Sequence, residues 1–135
     1  MMKRQLIMGK ILLIDDDTSF LKLLENYVAQ NYPGLHLITC SDPMKCLVSI
    51  SQELDLLLVD LEMPGLDGSK VLSYALSKGV NKNQIVILSG HDADYLHVCF
   101  PMGSCLAVLN KYEAQQRTVL DMIFKSLEDK SRGNR

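Results

Sequence analysis

Three short apolar runs in this chain each end on a polar group able to do chemistry. Ile11-Leu12-Leu13-Ile14 runs into Asp15-Asp16-Asp17, Leu56-Leu57-Leu58-Val59 into Asp60, and Ile85-Val86-Ile87-Leu88 into Ser89. A fourth run, Leu106-Ala107-Val108-Leu109, is followed after Asn110 by Lys111. Carboxylates, a hydroxyl and an ammonium would then share one rim, because the ends of such runs are where open α/β sheets gather their reactive groups. Two unit charges about 4 Å apart interact by roughly 4 kcal/mol at an effective dielectric of 20, so Asp15, Asp16 and Asp60 cannot converge fully ionised without a counter-charge. Oxygen donors with no Cys or His beside them select a hard divalent ion, and a small carboxylate set that leaves room for water and phosphate suits Mg²⁺ better than a closed Ca²⁺ cage. Mg²⁺, Lys111 and Ser89 together would make a receptor for a phosphoryl group, with a carboxylate in place to act as nucleophile.

The elements that must position these groups alternate along the whole chain. Short apolar runs bounded by polar residues read as strands of a parallel sheet buried on both faces. Between them, Asp17 or Thr18 caps a first helix carrying Phe20, Leu24, Tyr27 and Val28 and ending before Pro33-Gly34, and Leu35 to Thr39 follows as a strand that includes His36. Ser41-Asp42 with Pro43 opens a second helix, whose spacing places Met44, Leu47 and Val48 on the core side. A third runs from Ser69 to Lys78 and stops at Gly79, a left-handed C′ position, after a turn at Asp67-Gly68. Pro101 and Gly103 confine the next to about Asp92 to Cys99. The last, Glu113 to about Asp129, carries Val119, Leu120, Ile123, Phe124 and Leu127 on one face. Five (βα) units with right-handed crossovers give an α/β, doubly wound three-layer sandwich, with a five-stranded parallel sheet in flavodoxin-like order 2-1-3-4-5.

Composition bounds the function. With 135 residues, 47% of them hydrophobic, the chain suits one compact domain, and a net charge of −2 gives no general attraction to nucleic acid. The apolar stretch after Met1-Met2-Lys3-Arg4 is cut by Gly9 and Lys10, so it is neither a secretory signal nor a membrane span. Cys40, Cys46, Cys99 and Cys105 lack metal-binding spacing and read as reduced thiols of a cytoplasmic protein. Residues 1–9 are expected to be an N-terminal extension, 10–129 the domain, and 130–135 a tail or the start of a linker.

From Lys10 to Leu127 the sequence resembles the response-regulator receiver domain of two-component signalling. The most specific segment is Leu58-Val59-Asp60-Leu61-Glu62-Met63-Pro64-Gly65-Leu66-Asp67-Gly68, and the acidic pair, the strand-end hydroxyl and the lysine follow in the family's order. The resemblance implies that Asp60 is the phosphoacceptor, that Asp16 binds Mg²⁺ directly and Asp15 mainly through water, and that the Glu62 main-chain carbonyl faces the metal. It makes Ser89 and Lys111 the phosphoryl-binding groups and Gly90 the small residue that keeps space beside them. The implied partners are a sensor histidine kinase or phosphotransfer protein and an output domain or partner protein. The face formed by the helix at 92–99, the last strand and the last helix would carry the readout or a homodimer contact. No effector domain accompanies it, so a single-domain receiver or a receiver excised from a longer regulator or hybrid kinase is expected.

Several positions depart from the family pattern. Tyr112 follows Lys111 where proline is usual, so no cis peptide is expected there. Val108 stands where many receivers carry a switch aromatic, leaving Tyr95 or Tyr112 as substitutes. Glu62 puts an extra acid at the mouth of the site, where it could orient water or repel a partner. The competing enzyme reading is a haloacid-dehalogenase-like phosphohydrolase, with Asp15 as nucleophile and Asp15-x-Asp17 as its acidic motif; it leaves Asp60 without a role. Flavin binding fails because three aspartates after the first strand would repel the cofactor phosphate.

Overall fold

The computed structural model describes residues 9–63, 67–90, 98, 100–101, 103–112 and 114–131. Strands β1 (Gly9–Ile14), β2 (Leu35–Cys40), β3 (Leu56–Asp60), β4 (Ile85–Ser89) and β5 (Ala107–Asn110) form one sheet in the order β2-β1-β3-β4-β5. Every pairing is parallel, as the continuous apolar runs require. Helices α1 (Thr18–Asn31), α2 (Pro43–Ser49), α3 (Gly68–Ser77) and α4 (Ala114–Ser131) connect or follow the strands, with a 3₁₀ turn at Lys82–Gln84 before β4. The helix expected over 92–99 lies outside the described residues, as do Tyr95 and Cys99.

Alternation along each strand divides the core in two. Ile11, Leu13, Leu58, Val86 and Leu88 point to one side and pack with Phe20, Leu24 and Val28 of α1 and Leu120 and Phe124 of α4. Leu12, Ile14, Leu57, Val59, Ile85 and Ile87 point to the other and pack with Cys46 of α2 and Val71 and Ala75 of α3. With a helix layer on both sides, the strand interior has no solvent face, and the three-layer expectation holds.

Helix starts follow local chemistry. Asp17, Asp42 and Asp67 are the N-caps of α1, α2 and α3, their carboxylates accepting from the backbone N–H groups of Ser19 and Phe20, of Met44, and of Ser69. Gly79, at φ +96°, supplies the left-handed residue that ends α3. The inward stripe of α2 corrects the sequence reading. Met44 and Val48 are 72% and 85% exposed, whereas Cys46 and Ile50 are buried. Positions two apart on a helix differ by about 200°, so the Cys46/Ile50 stripe turns the Met44/Val48 stripe to solvent. Leu47 alone of the three expected residues packs on the core, and it does so from its edge. β1 begins at Gly9 and α4 runs through Ser131. Cys40, Cys46 and Cys105 are free thiols, and His36 is an exposed residue of β2, as expected.

A polar clamp joins the first and last helices. The hydroxyls of Tyr27 and Tyr32 both donate to Asp121 Oδ1, at 2.6 and 3.0 Å. Asp121→Ala would strand two half-buried hydroxyls at the α1/α4 seam, and a loss of about 1–2 kcal/mol is expected in urea unfolding. No measurable loss would show that water replaces the carboxylate at no cost.

Candidate functional site

Parallel pairing carries the carboxyl ends of the strands to one edge of the sheet. Asp60 and Ser89 are the last residues of β3 and β4, Asp15 follows β1, and Lys111 follows β5. Backbone bonds continue one residue beyond the ladders and fix these tips: Asp15 N donates to Cys40 O, Leu61 N to Leu88 O, and Lys111 N to Ser89 O. Asp15, Asp60 and Ser89 are thereby held in place and buried, at 0%, 4% and 0% exposure, while Asp16 remains exposed.

One carboxylate oxygen from each of Asp15, Asp16 and Asp60 lies within 4.8 Å of the others. Lys111 Nζ donates to Asp15 Oδ2 at 2.7 Å and stands 3.7 Å from Asp60 Oδ1, with 4.7 Å separating it from the centre of the Phe20 ring. Burial would lower the Lys111 ammonium, but its hydrogen bond to Asp15 and the charges of Asp15 and Asp60 carry it above its ordinary value. Asp60 is pushed up to about 7, first by loss of water and then by the Asp15 charge, against the opposing pull of the Glu62 amide, which donates to Asp60 Oδ1 at 3.2 Å, and of Lys111.

Among the described residues, the Lys111 ammonium stands against Asp15 and Asp60 while a third carboxylate, Asp16, joins their cluster, and Asp60 is raised first by its burial and then by the Asp15 charge beside it. Among the described residues the donor set is oxygen alone, without His or Cys, and one of its members opens to solvent. These residues fit a hard divalent cation of the Mg²⁺ kind. Next to them Ser89 Oγ and Gly90 N present two hydrogen-bond donors. Hydrogen-bond donors, an ammonium and a cluster of acids are the chemistry that a phosphoryl group beside a carboxylate would need. The sequence-derived set Asp15, Asp16, Asp60, Ser89, Gly90 and Lys111 is therefore brought together, and Asp17 and Asp67 are helix caps.

The model of the response regulator receiver domain matches residues 11–125. The chain belongs to that family. Two-component response regulator ARR12 of Arabidopsis thaliana is 27% identical over 131 residues, covering 93% of this chain and 21% of that protein. Stress response regulator protein 1 of Debaryomyces hansenii is 38% identical over 79 residues, 58% of this chain and 32% of its own length. The chain thus spans about a fifth to a third of the length that these curated relatives have. Among solved structures, the receiver domain of the Francisella response regulator 1452 has the same fold, with TM-score 0.72 at 21% identity over 91% of this chain and 98% of that one.

Within this receiver domain, two features escaped the sequence reading. The first is Phe20, whose ring lies under the lysine; its helical spacing marked it as core, and nothing local tied it to Lys111. The second is what the Glu62 side chain binds, since the sequence put this acid at the mouth of the site and did not say what it contacts inside the chain. Its Oε2 accepts from Ser89 Oγ at 3.0 Å and its Oε1 from Gly90 N at 3.1 Å. A Cβ built on Gly90 would come within 3.2 Å of Tyr112 Cε2 and 3.4 Å of Glu62 Oε1, so both side chains approach the space that a larger residue here would need. Tyr112 is otherwise exposed and its amide donates to Asn110 Oδ1, while Val108 is partly buried against the α2/α3 side of the core. No cis peptide occurs among the described residues. None of their helices is long and apolar enough to cross a membrane.

Proposed function

We propose that this receiver is a phosphoacceptor that takes a phosphoryl group from a histidine kinase or phosphotransfer protein onto Asp60. The observation that carries the reading is the convergence of Asp15, Asp16 and Asp60 around a buried Lys111 at the edge where Ser89 and Gly90 present their donors. Asp60 Oδ attacks phosphorus as the P–N bond to the donor imidazole breaks, and the imidazole leaves as the neutral base once it has gained a proton. Lys111 balances the charge of the transferred group, and Ser89 Oγ and Gly90 N donate to its oxygens. Asp15, Asp16, Asp60 and the Glu62 main-chain carbonyl would hold Mg²⁺. That ion, when bound, supplies the positive charge that lets one anion approach another.

The chain's regulatory output then follows from the new contacts of Ser89 and Lys111. These residues end β4 and β5, and the proposed readout face is β5 with the segment before it and α4. An output domain, a partner protein or a second copy of the chain would be the reader, and cytoplasmic residence is part of the same proposal. Regulation rather than turnover is its role, with self-phosphorylation and self-dephosphorylation as its own chemistry.

The phosphohydrolase alternative gains nothing from the geometry. Asp15 is fully buried and both its oxygens accept hydrogen bonds, from Asp17 N and from Lys111 Nζ. Asp17, the second acid of that plan, is occupied as the cap of α1.

Intact-mass analysis after incubation with phosphoramidate and Mg²⁺ tests the proposal. One phosphoryl group per chain, mapping to Asp60 and absent in EDTA, is the expected result. An adduct on Asp15, or undiminished labelling of Asp60→Asn, would overturn it.

A further inference from the structure

We infer that the Glu62 carboxylate is an internal occupant of the phosphoryl seat, which the incoming group must evict; the inference rests on the phosphoacceptor reading above and adds the regulation of that site. Its two oxygens engage the same two donors that the reading gives to the phosphoryl group: Ser89 Oγ at 3.0 Å and Gly90 N at 3.1 Å. Each donor has one hydrogen to give, so a carboxylate and a phosphoryl oxygen cannot both hold it. Both are anionic oxygens that receive charge-assisted hydrogen bonds of similar length, which makes Glu62 a competent stand-in.

Two further observations favour seat occupation over the roles open to an extra acid at the mouth. The Glu62 side chain stays out of the cation-binding cluster, whose members among the described residues are Asp15, Asp16 and Asp60. Glu62 is also an exposed residue on the turn after β3, so its side chain can swing into water without leaving a cavity or a buried charge. Eviction is therefore a rotamer change rather than a refolding event. The Tyr112 ring approaches the same point beside Gly90 that Glu62 Oε1 does, 3.2 Å from a Cβ built there, and so borders the same seat.

A seat open for only a fraction of the time weakens the apparent affinity for any anion by that fraction. Two charge-assisted hydrogen bonds are enough to keep it mostly closed, and the expected penalty is about tenfold or more. Phosphorylation would in addition release a carboxylate to the surface beside the readout face, so that the two states differ in exposed charge as well as in the position of Ser89.

The test is calorimetric titration of beryllofluoride with Mg²⁺ into the parent chain, Glu62→Gln and Glu62→Ala, together with the position of the Gly90 amide in ¹H–¹⁵N spectra. Glu62→Ala should bind the mimic about tenfold or more tightly than the parent. Glu62→Gln should fall between the two, because glutamine keeps the hydrogen-bonding shape without the charge. The Gly90 amide should move in Glu62→Ala before any ligand is added. Equal or weaker binding by Glu62→Ala would overturn the inference, and so would identical gains in both variants with an unmoved Gly90 amide, since that pattern reports charge at a distance. If neither the parent nor the variants bind the mimic or take a phosphoryl group from phosphoramidate, the phosphoacceptor reading falls and takes this inference with it. If the parent is phosphorylated on Asp60 while Glu62→Ala gains nothing, this inference alone falls.

Discussion

In EDTA at pH 8, Asp60→Asn is expected to unfold at a higher urea concentration than the parent chain, with a gain of about 2–3 kcal/mol. The native Asp60 carboxyl is pushed from 3.8 to about 7 by loss of water and by the Asp15 charge. A group whose pKa is raised on folding binds more protons in the native state than in the unfolded one. Its contribution is fully present below about pH 4 and is lost as pH rises through about 7. The displacement sets a ceiling of about 4 kcal/mol, which coupling of Asp60 to its charged neighbours reduces. Asparagine has nothing to ionise and escapes the loss. The gap between the two proteins should therefore be wider at pH 8 than at pH 5, and saturating Mg²⁺ should narrow it, because the cation stabilises the parent more. Urea titrations followed by circular dichroism at both pH values, with EDTA and then with Mg²⁺, check each part. A variant less stable than the parent at pH 8, or a gap independent of pH, would show that the acid cluster is not electrostatically strained.

Lys111→Met has the opposite effect, an expected loss of about 3–5 kcal/mol near neutral pH without metal. Its ammonium is, among the described residues, the cation within 4 Å of both Asp15 and Asp60, at 2.7 and 3.7 Å, and all three side chains are at most 4% exposed. Removing it leaves two buried carboxylates with neither water nor a counter-charge. Methionine keeps an unbranched apolar stem beside the Phe20 ring, so the loss reports charge more than packing. Adding Asp15→Asn should recover much of it, and a double-mutant cycle would give the coupling of the pair directly. Acid should shrink the deficit as the carboxylates take up protons, and Mg²⁺ should do so by replacing the charge. A loss within about 1 kcal/mol would mean that water reaches the cluster freely.

The fold and most of the site were legible because they depend on one-dimensional properties. A run of four apolar residues that ends on Asp60, or on Ser89, states that the strand is covered on both faces and where it stops. Parallel pairing does the rest, since every such strand delivers its carboxyl end to the same edge. The caps at Asp17, Asp42 and Asp67 and the stop at Gly79 are likewise local, each set by a side chain and the backbone two or three residues away.

What the sequence alone could not decide was settled by contacts between distant segments. The seven-residue α2 carries apolar residues on two stripes, and only the sheet beneath it selects Cys46 and Ile50 over Met44 and Val48. Glu62 reaches Ser89 across 27 positions, Lys111 reaches Asp15 across 96, and Asp121 gathers Tyr27 and Tyr32 across 94 and 89. Residue type and spacing determined which groups arrive at the rim of the sheet. Which oxygen holds which proton there is a matter of a few tenths of an ångström between side chains on different strands and helices, and the packed layers alone fix that distance.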